Sequence, residues 1–145
     1  MTKRVHLLNG PNLNFLGKRQ TDIYGTVTLE DVTKTCERVA RSKDMSLKCL
    51  QTNYEGQLID LVQAAEMEAD AIVINPGAYS HTSIALLDAL NAFKGLVIEV
   101  HISNIHAREE FRHKSFISIR ADGIIMGLGV LGYELALEAV DRLSA

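Results

Sequence analysis

The chain has 145 residues, of which 47 % are apolar and 23 % charged; this is the composition of one globular domain and excludes a disordered, collagen-like or disulfide-built protein. Eighteen acidic against fifteen basic residues give a formal net charge of -3, and no long basic run offsets the balance, so general nucleic-acid binding has no electrostatic support. The longest charge-free stretch, residues 123–133, is too short and glycine-rich to span a bilayer, and the apolar run 5–8 meets Asn9-Gly10-Pro11 too soon for a signal-peptide core; a cytoplasmic protein is expected.

Residues 3–9 form a short apolar run suited to a buried strand. Residues 10–26 follow as the longest loop, with Gly17, Lys18, Arg19, Tyr24 and Gly25 at no clear period. A loop this long in a small domain is usually functional or mobile, and glycines near both ends allow it to act as a lid. Residues 28–42 read as a helix with Leu29, Val32, Cys36, Val39 and Ala40 on one face, and Thr28 with Asp31 has capping-box spacing at its start. A second strand is expected over 46–52, then a helix over 57–69 with Leu58, Leu61, Val62 and Ala65 inward. Residues 71–75 are a third strand ending at Pro76-Gly77, followed by a helix over 82–93 and a fourth strand over 96–101. A short helix over 107–113, a fifth strand over 116–120 and a closing helix over 131–143 complete the chain.

Strands alternating with helices imply a parallel sheet covered on both faces. The runs Ala71-Ile72-Val73-Ile74 and Leu96-Val97-Ile98 suit strands buried on both sides. Right-handed crossovers leave few topologies, and the expected fold is α/β: one flavodoxin-like, doubly wound domain over residues 1–145, with five parallel strands in the order 2-1-3-4-5. Cys36 and Cys49 have neither CxxC nor zinc-ligand spacing and sit among apolar neighbours, so they read as reduced, buried thiols.

Ligands of such sheets bind beyond the carboxyl ends of the strands. Asn9, Gly10, Asn12 and Asn14 follow the first strand; Asn75, Gly77, Ser80 and His81 follow the third; Glu99, His101, Ser103 and Asn104 end the fourth. Three distant loops thus bring amides, imidazoles and a carboxylate to one edge. Glu99 and His101 are two apart on a strand and leave the same face, where a carboxylate orients an imidazole and favours its charged form. That suits a general acid, though a hydrogen-bonded structural histidine is an equally ordinary use of the pair.

Other motifs fail on their context. Gly127-Leu128-Gly129-Val130-Leu131-Gly132 matches GxGxxG, but no strand and acidic residue follow at the needed distance, so close helix–sheet packing is the better use of those glycines. His101 and His106 lack HExxH spacing, no GxSxG elbow exists, and Asn75 stands where a phosphate-accepting receiver would need an aspartate.

Gly10-Pro11-Asn12-Leu13-Asn14, Leu16-Gly17 through Arg19, and Tyr24-Gly25 resemble the opening motif of type II 3-dehydroquinate dehydratases. Asn75-Pro76-Gly77-Ala78, His81-Thr82-Ser83 and Glu99-Val100-His101-Ile102-Ser103-Asn104 resemble its central blocks, and Ala107-Arg108-Glu109-Glu110-Phe111-Arg112 and the glycine-rich 127–133 stretch resemble the rest. The likeness covers residues 5–133 in order and spacing. It implies an enzyme of the shikimate pathway that dehydrates 3-dehydroquinate to 3-dehydroshikimate without metal or organic cofactor. Tyr24 would be the base that removes a proton alpha to the ketone, Arg19 the lid arginine beside it, and His101, paired with Glu99, the acid for the leaving hydroxyl. Asn12 would hold the water that steadies the enolate. Asn75, His81, Ile102, Ser103 and Arg112 would hold the substrate's carboxylate and hydroxyls. The resemblance also implies a dodecamer of four trimers, in which Asp88 reaches a neighbour's site. Gln20 and Thr21 stand where Glu-Pro is common in the family, and Leu87 where an arginine is.

Two other classes share the fold. A non-enzymatic module would bind an anionic ligand without turning it over. A flavin-dependent redox protein would be yellow and would usually bring more aromatic surface than four Tyr, four Phe and no Trp.

Overall fold

The computed structural model describes residues 2–18 and 20–144, the side chains of Ile23 and Tyr24 excepted. Its frame is a sheet of β1 (Lys3–Asn9), β2 (Met45–Gln51), β3 (Ala71–Asn75), β4 (Leu96–His101) and β5 (Gly123–Met126), all parallel, in the order β2-β1-β3-β4-β5. The expected topology is the observed one.

Side-chain alternation along each strand divides the core in two. Val5, Leu7, Val73, Ile98 and Val100 face α2 (Leu29–Ser42) and α5 (Leu131–Leu143), meeting Val32, Cys36, Ala40, Ala136, Leu137 and Val140. Leu8, Ile72, Ile74 and Val97 face α3 (Glu55–Glu68) and α4 (Ile84–Ala92), meeting Leu58, Val62, Ala65, Leu86 and Leu90. Apolar contact on both sides is why β3 is buried at every residue. Leu87, at one of the positions that depart from the family pattern, is packed into this second core.

Local chemistry starts the helices where expected. The Thr28 hydroxyl accepts from Asp31 N–H at 3.2 Å, and the Asp31 carboxylate accepts from Thr28 N–H at 3.0 Å, closing the capping box of α2. Ser83 caps α4 by accepting from Leu86 N–H at 2.9 Å. At Gly132 a β-carbon would sit 3.2 Å from Val100 Cγ1, so the third glycine of the GxGxxG pattern is the close helix–sheet contact anticipated. Burial pushes the Cys36 thiol up to about 12 and that of Cys49 to about 11. Both therefore stay protonated at neutral pH and are poor nucleophiles.

Two assignments need correcting. Residues 116–120 are not a strand: they carry a 3-10 turn at Ile117–Ile119, and the fifth strand is Gly123–Met126. Short apolar runs cannot be told apart by period. Here Ile119 N–H turns back to the Phe116 carbonyl, while Asp122 N–H takes the Val97 carbonyl and starts the ladder with β4, six residues after Phe116. The helix expected over 107–113 is instead two 3-10 turns, Ile105–Ala107 and Glu110–Arg112. Arg108 and Glu109 between them are extended, since so short a run cannot offset helix nucleation. The long loop also gains structure: a 3-10 turn at Leu13–Phe15 and a single helical turn, α1 (Thr21–Tyr24).

Candidate active site

A cavity of about 220 Å³ opens beyond the carboxyl ends of β1, β3 and β4. It is built where the loops after β1 and β3 press together: a β-carbon on Gly10 would lie 2.5 Å from the Pro76 carbonyl oxygen, so only glycine admits this approach. The Gly10 N–H donates to the Asn75 carbonyl at 2.8 Å. Asn12 follows in the left-handed region (φ 68), and its N–H donates to Asn53 Oδ1 at 2.9 Å. Gln51, at the end of β2, donates to both the Gly10 carbonyl and Asn53 Oδ1, at 3.2 and 3.1 Å, so the neighbouring strand props this loop.

The floor is a buried polar chain. Tyr133 Oη, from α5, donates to Asn9 Oδ1 at 2.6 Å and accepts from Asn75 Nδ2 at 2.9 Å, while Asn75 Oδ1 accepts from Gly77 N–H at 3.1 Å. These bonds set the orientation of the Asn75 amide at the cavity wall. Complete burial pushes the Tyr133 phenol far above its ordinary value, which excludes it as a base. Tyr133→Phe removes one donor and one acceptor from buried partners. A loss of about 1–3 kcal/mol for each group left unpaired is expected, read as a lowered urea midpoint.

Two imidazoles line the cavity from different loops. His81 ends the 3-10 turn Gly77–His81 and donates Nδ1–H to the Lys114 carbonyl at 2.7 Å. Burial lowers its pKa first; the Lys114 carbonyl opposes this, and the positive charges of His101, Arg112 and Arg108 add to the lowering. His81 is thus the neutral ring, with Nε2 left to accept. His101 ends β4, and its Nε2 is hydrogen-bonded to Glu99 Oε2. Glu99 has no exposed surface. Burial is the largest influence on its carboxyl and pushes it upward. The hydrogen bond and charge of His101, with hydroxyl donation from Ser115 at 2.6 Å and Ser118 at 2.7 Å, together outweigh burial and hold it below the usual carboxylate range. The two rings therefore have different partners: a backbone carbonyl faces His81 and an ionised carboxylate faces His101.

Arg108 and Arg112 bring guanidinium groups to the rim. Arg108 reaches Ser103 Oγ at 3.4 Å, and Arg112 Nε donates to Glu109 Oε1 at 3.2 Å. Two guanidinium groups and a neutral imidazole suit a small anion bearing hydroxyls. Among the described residues, no three His, Cys, Asp or Glu side chains gather so as to hold a metal ion, and no helix is long and apolar enough to cross a membrane.

Of the anticipated residues, Asn12, Asn75, His81, His101, Ile102, Ser103 and Arg112 line this one cavity, and Glu99 lies behind His101. Asp88 is exposed on α4 and does not line it. Arg19 and the Tyr24 side chain lie outside the described residues. The sequence reading missed Arg108, Gln20, Leu13 and Leu16 in the lining and Ser115, Ser118 and Tyr133 behind it. Arg108 was findable, four positions before Arg112 in one charged block. The serines were hidden by the misplaced fifth strand.

Residues 3–141 match the model of the family described as class II dehydroquinase. The chain is 54 % identical over 145 residues to the 3-dehydroquinate dehydratase of Cereibacter sphaeroides, covering 100 % of this chain and 99 % of that one. It is 52 % identical over 140 residues to the catabolic 3-dehydroquinase of Emericella nidulans, covering 97 % and 92 %. The solved type II dehydroquinase of Butyrivibrio crossotus superposes with a TM-score of 0.96 at 43 % identity, covering 97 % of this chain and 99 % of that one.

Proposed function

The chain belongs to the class II dehydroquinase family and is a 3-dehydroquinate dehydratase, and from that premise we propose how its cavity carries out the elimination. Loss of water from a β-hydroxy ketone needs a base at the alpha carbon, a means of steadying the enolate and an acid for the departing oxygen. In this reading the Tyr24 phenolate takes the alpha proton, and the C–H electron pair moves into the ketone as an enolate. Asn12, through a held water, steadies that negative oxygen. The enolate then re-forms the carbonyl, the C–O bond to the hydroxyl breaks, and His101 gives its proton so that the group leaves as water. The sum is one water lost and one conjugated enone formed, with tyrosine and histidine in exchanged protonation states that solvent restores.

The observation that carries this reading is the His101–Glu99 pair at the cavity floor, facing a rim that holds Arg108 and Arg112. The ionised carboxylate stabilises charge on the ring that must donate. The guanidinium groups, Asn75, the neutral His81 and the Ile102–Ser103 turn suit the carboxylate and hydroxyls of the substrate. Arg19 acts by steadying the Tyr24 phenolate when the loop closes as a lid. Gly17 and Gly25, on either side of the segment that carries Arg19 and Tyr24, have φ of 81 and 78, a conformation glycine adopts without strain and one suited to hinges. A dodecamer of four trimers with Asp88 at a neighbour's site, supported by family resemblance, and a cytoplasmic location complete the proposal.

The test uses the product's own chromophore. Adding 3-dehydroquinate to the purified protein is expected to raise ultraviolet absorbance continuously as the enone forms. Binding by calorimetry with no rise in absorbance favours a non-catalytic module instead.

A further inference from the structure

No step above uses the segment that joins the arginine-bearing turns to β5, yet it carries three of the bonds that hold the two imidazoles. The Lys114 carbonyl accepts from His81 Nδ1 at 2.7 Å. Ser115 Oγ donates to Glu99 Oε2 at 2.6 Å, and Ser118 Oγ donates to Glu99 Oε1 at 2.7 Å. The segment is itself fastened down. Phe116 N–H donates to the Ser80 carbonyl at 2.8 Å, and Ile117 is fully buried in the core beneath α3 and α4. Arg120 closes the turn by donating to the carbonyls of Leu90, Phe93 and Gly95 at 3.0, 2.9 and 2.7 Å.

We propose that Ser115 and Ser118 are positioning residues for the dehydration: their hydroxyls clamp both oxygens of Glu99 as an ionised carboxylate and, through it, hold His101 in the orientation and charge state from which it donates. The inference rests on the reading of His101 as the general acid. A carboxylate with no exposed surface is strongly disfavoured unless donors surround it. Here there are three donors, one ring N–H and two hydroxyls, and an ionised Glu99 accepts from all of them at once. A protonated Glu99 would present an O–H to one of these partners and reverse that bond. The charged group acting on Glu99 is His101 on β4; His101, Arg108 and Arg112 in turn act on His81, from the loop after β3. Neither serine lines the cavity, so both act through Glu99 and not on substrate.

The experiment measures kcat and KM against pH for wild type, Ser115→Ala, Ser118→Ala, the double variant and the two Ser→Thr variants, which keep the hydroxyl. Each alanine is expected to lower kcat about tenfold and the pair roughly a hundredfold, because a hydrogen bond to a charged group is lost each time. KM should stay within about twofold. Loss of two donors that favour the ionised form raises the Glu99 pKa, so the acid limb of kcat moves to higher pH, and threonine restores both kcat and the limb. Unchanged kcat with a stationary acid limb overturns the proposal, as does a loss confined to KM. Wild type that makes no enone overturns the functional reading instead. A ¹³C titration of the Glu99 carboxyl in wild type, independent of turnover and of whether the alanine variants fold, decides the same point. A group still ionised below the ordinary carboxylate range is expected; proton uptake within or above that range overturns the clamp.

Discussion

Tyr24→Phe is expected to lower kcat by about a hundredfold or more, since it removes the only group assigned to take the alpha proton. A free phenol titrates near about 10 and is almost wholly protonated at neutral pH. A guanidinium about 4 Å away contributes roughly 4 kcal/mol of attraction at an effective dielectric near 20, which favours the phenolate over the phenol. Arg19, five positions before Tyr24 in the loop bounded by Gly17 and Gly25, is the cation assigned to this task. The two variants therefore differ in kind. Tyr24→Phe should leave an enzyme that binds 3-dehydroquinate but is inactive at every pH. Arg19→Ala should keep residual turnover that rises as pH is raised, because the phenol then ionises only near its ordinary value. Stopped-flow absorbance across pH reads both. An Arg19→Ala profile superimposable on wild type breaks the link between loop closure and base activation.

The second large effect is expected at His101. His101→Ala should lower kcat by about 10²–10⁴, the usual contribution of a positioned acid, and a substrate analogue carrying a better leaving group should recover part of the loss. Tyr24→Phe gives no such recovery, because its fault lies at the C–H bond. Glu99→Gln is the accompanying test of the buried pair. It removes the carboxylate that faces and orients the ring, so kcat is expected to fall with KM little changed. Stability follows with a definite sign. The folded Glu99 carboxyl lies below its unfolded value. It therefore stabilises the fold above the unfolded value, near about 4.3, and that contribution is lost as pH falls through the folded one. Urea midpoints of Glu99→Gln and wild type should accordingly converge in acid.

Much of this was legible in the chain before any coordinates. Loop length and Gly/Asn/His content marked the edge at which the site forms, because a parallel sheet delivers the ends of β1, β3 and β4 to one side. The Glu99–His101 pairing followed from the two-residue period of a strand. The placement of Ser115 and Ser118 did not. A short apolar run such as Phe116, Ile117 and Ile119 fits a strand as well as a turn, and the competition is decided by Asp122 and the run 123–126, which reach the β4 edge and pair with it. Nor could the single helical turn Thr21–Tyr24 be read from a segment with no apolar period.

By itself the sequence determined the layered α/β frame, the strand order and which loops carry chemistry, because hydrophobic period, handed crossovers and capping residues act over short stretches of chain. Tertiary structure alone decided the state of the site's groups. The Tyr133 hydroxyl lies between Asn9 and Asn75, the Lys114 carbonyl takes the proton of His81, and two hydroxyls converge on Glu99. These are contacts between residues far apart in the chain, and their strength depends on a burial from water that exists only once both faces of the sheet are covered.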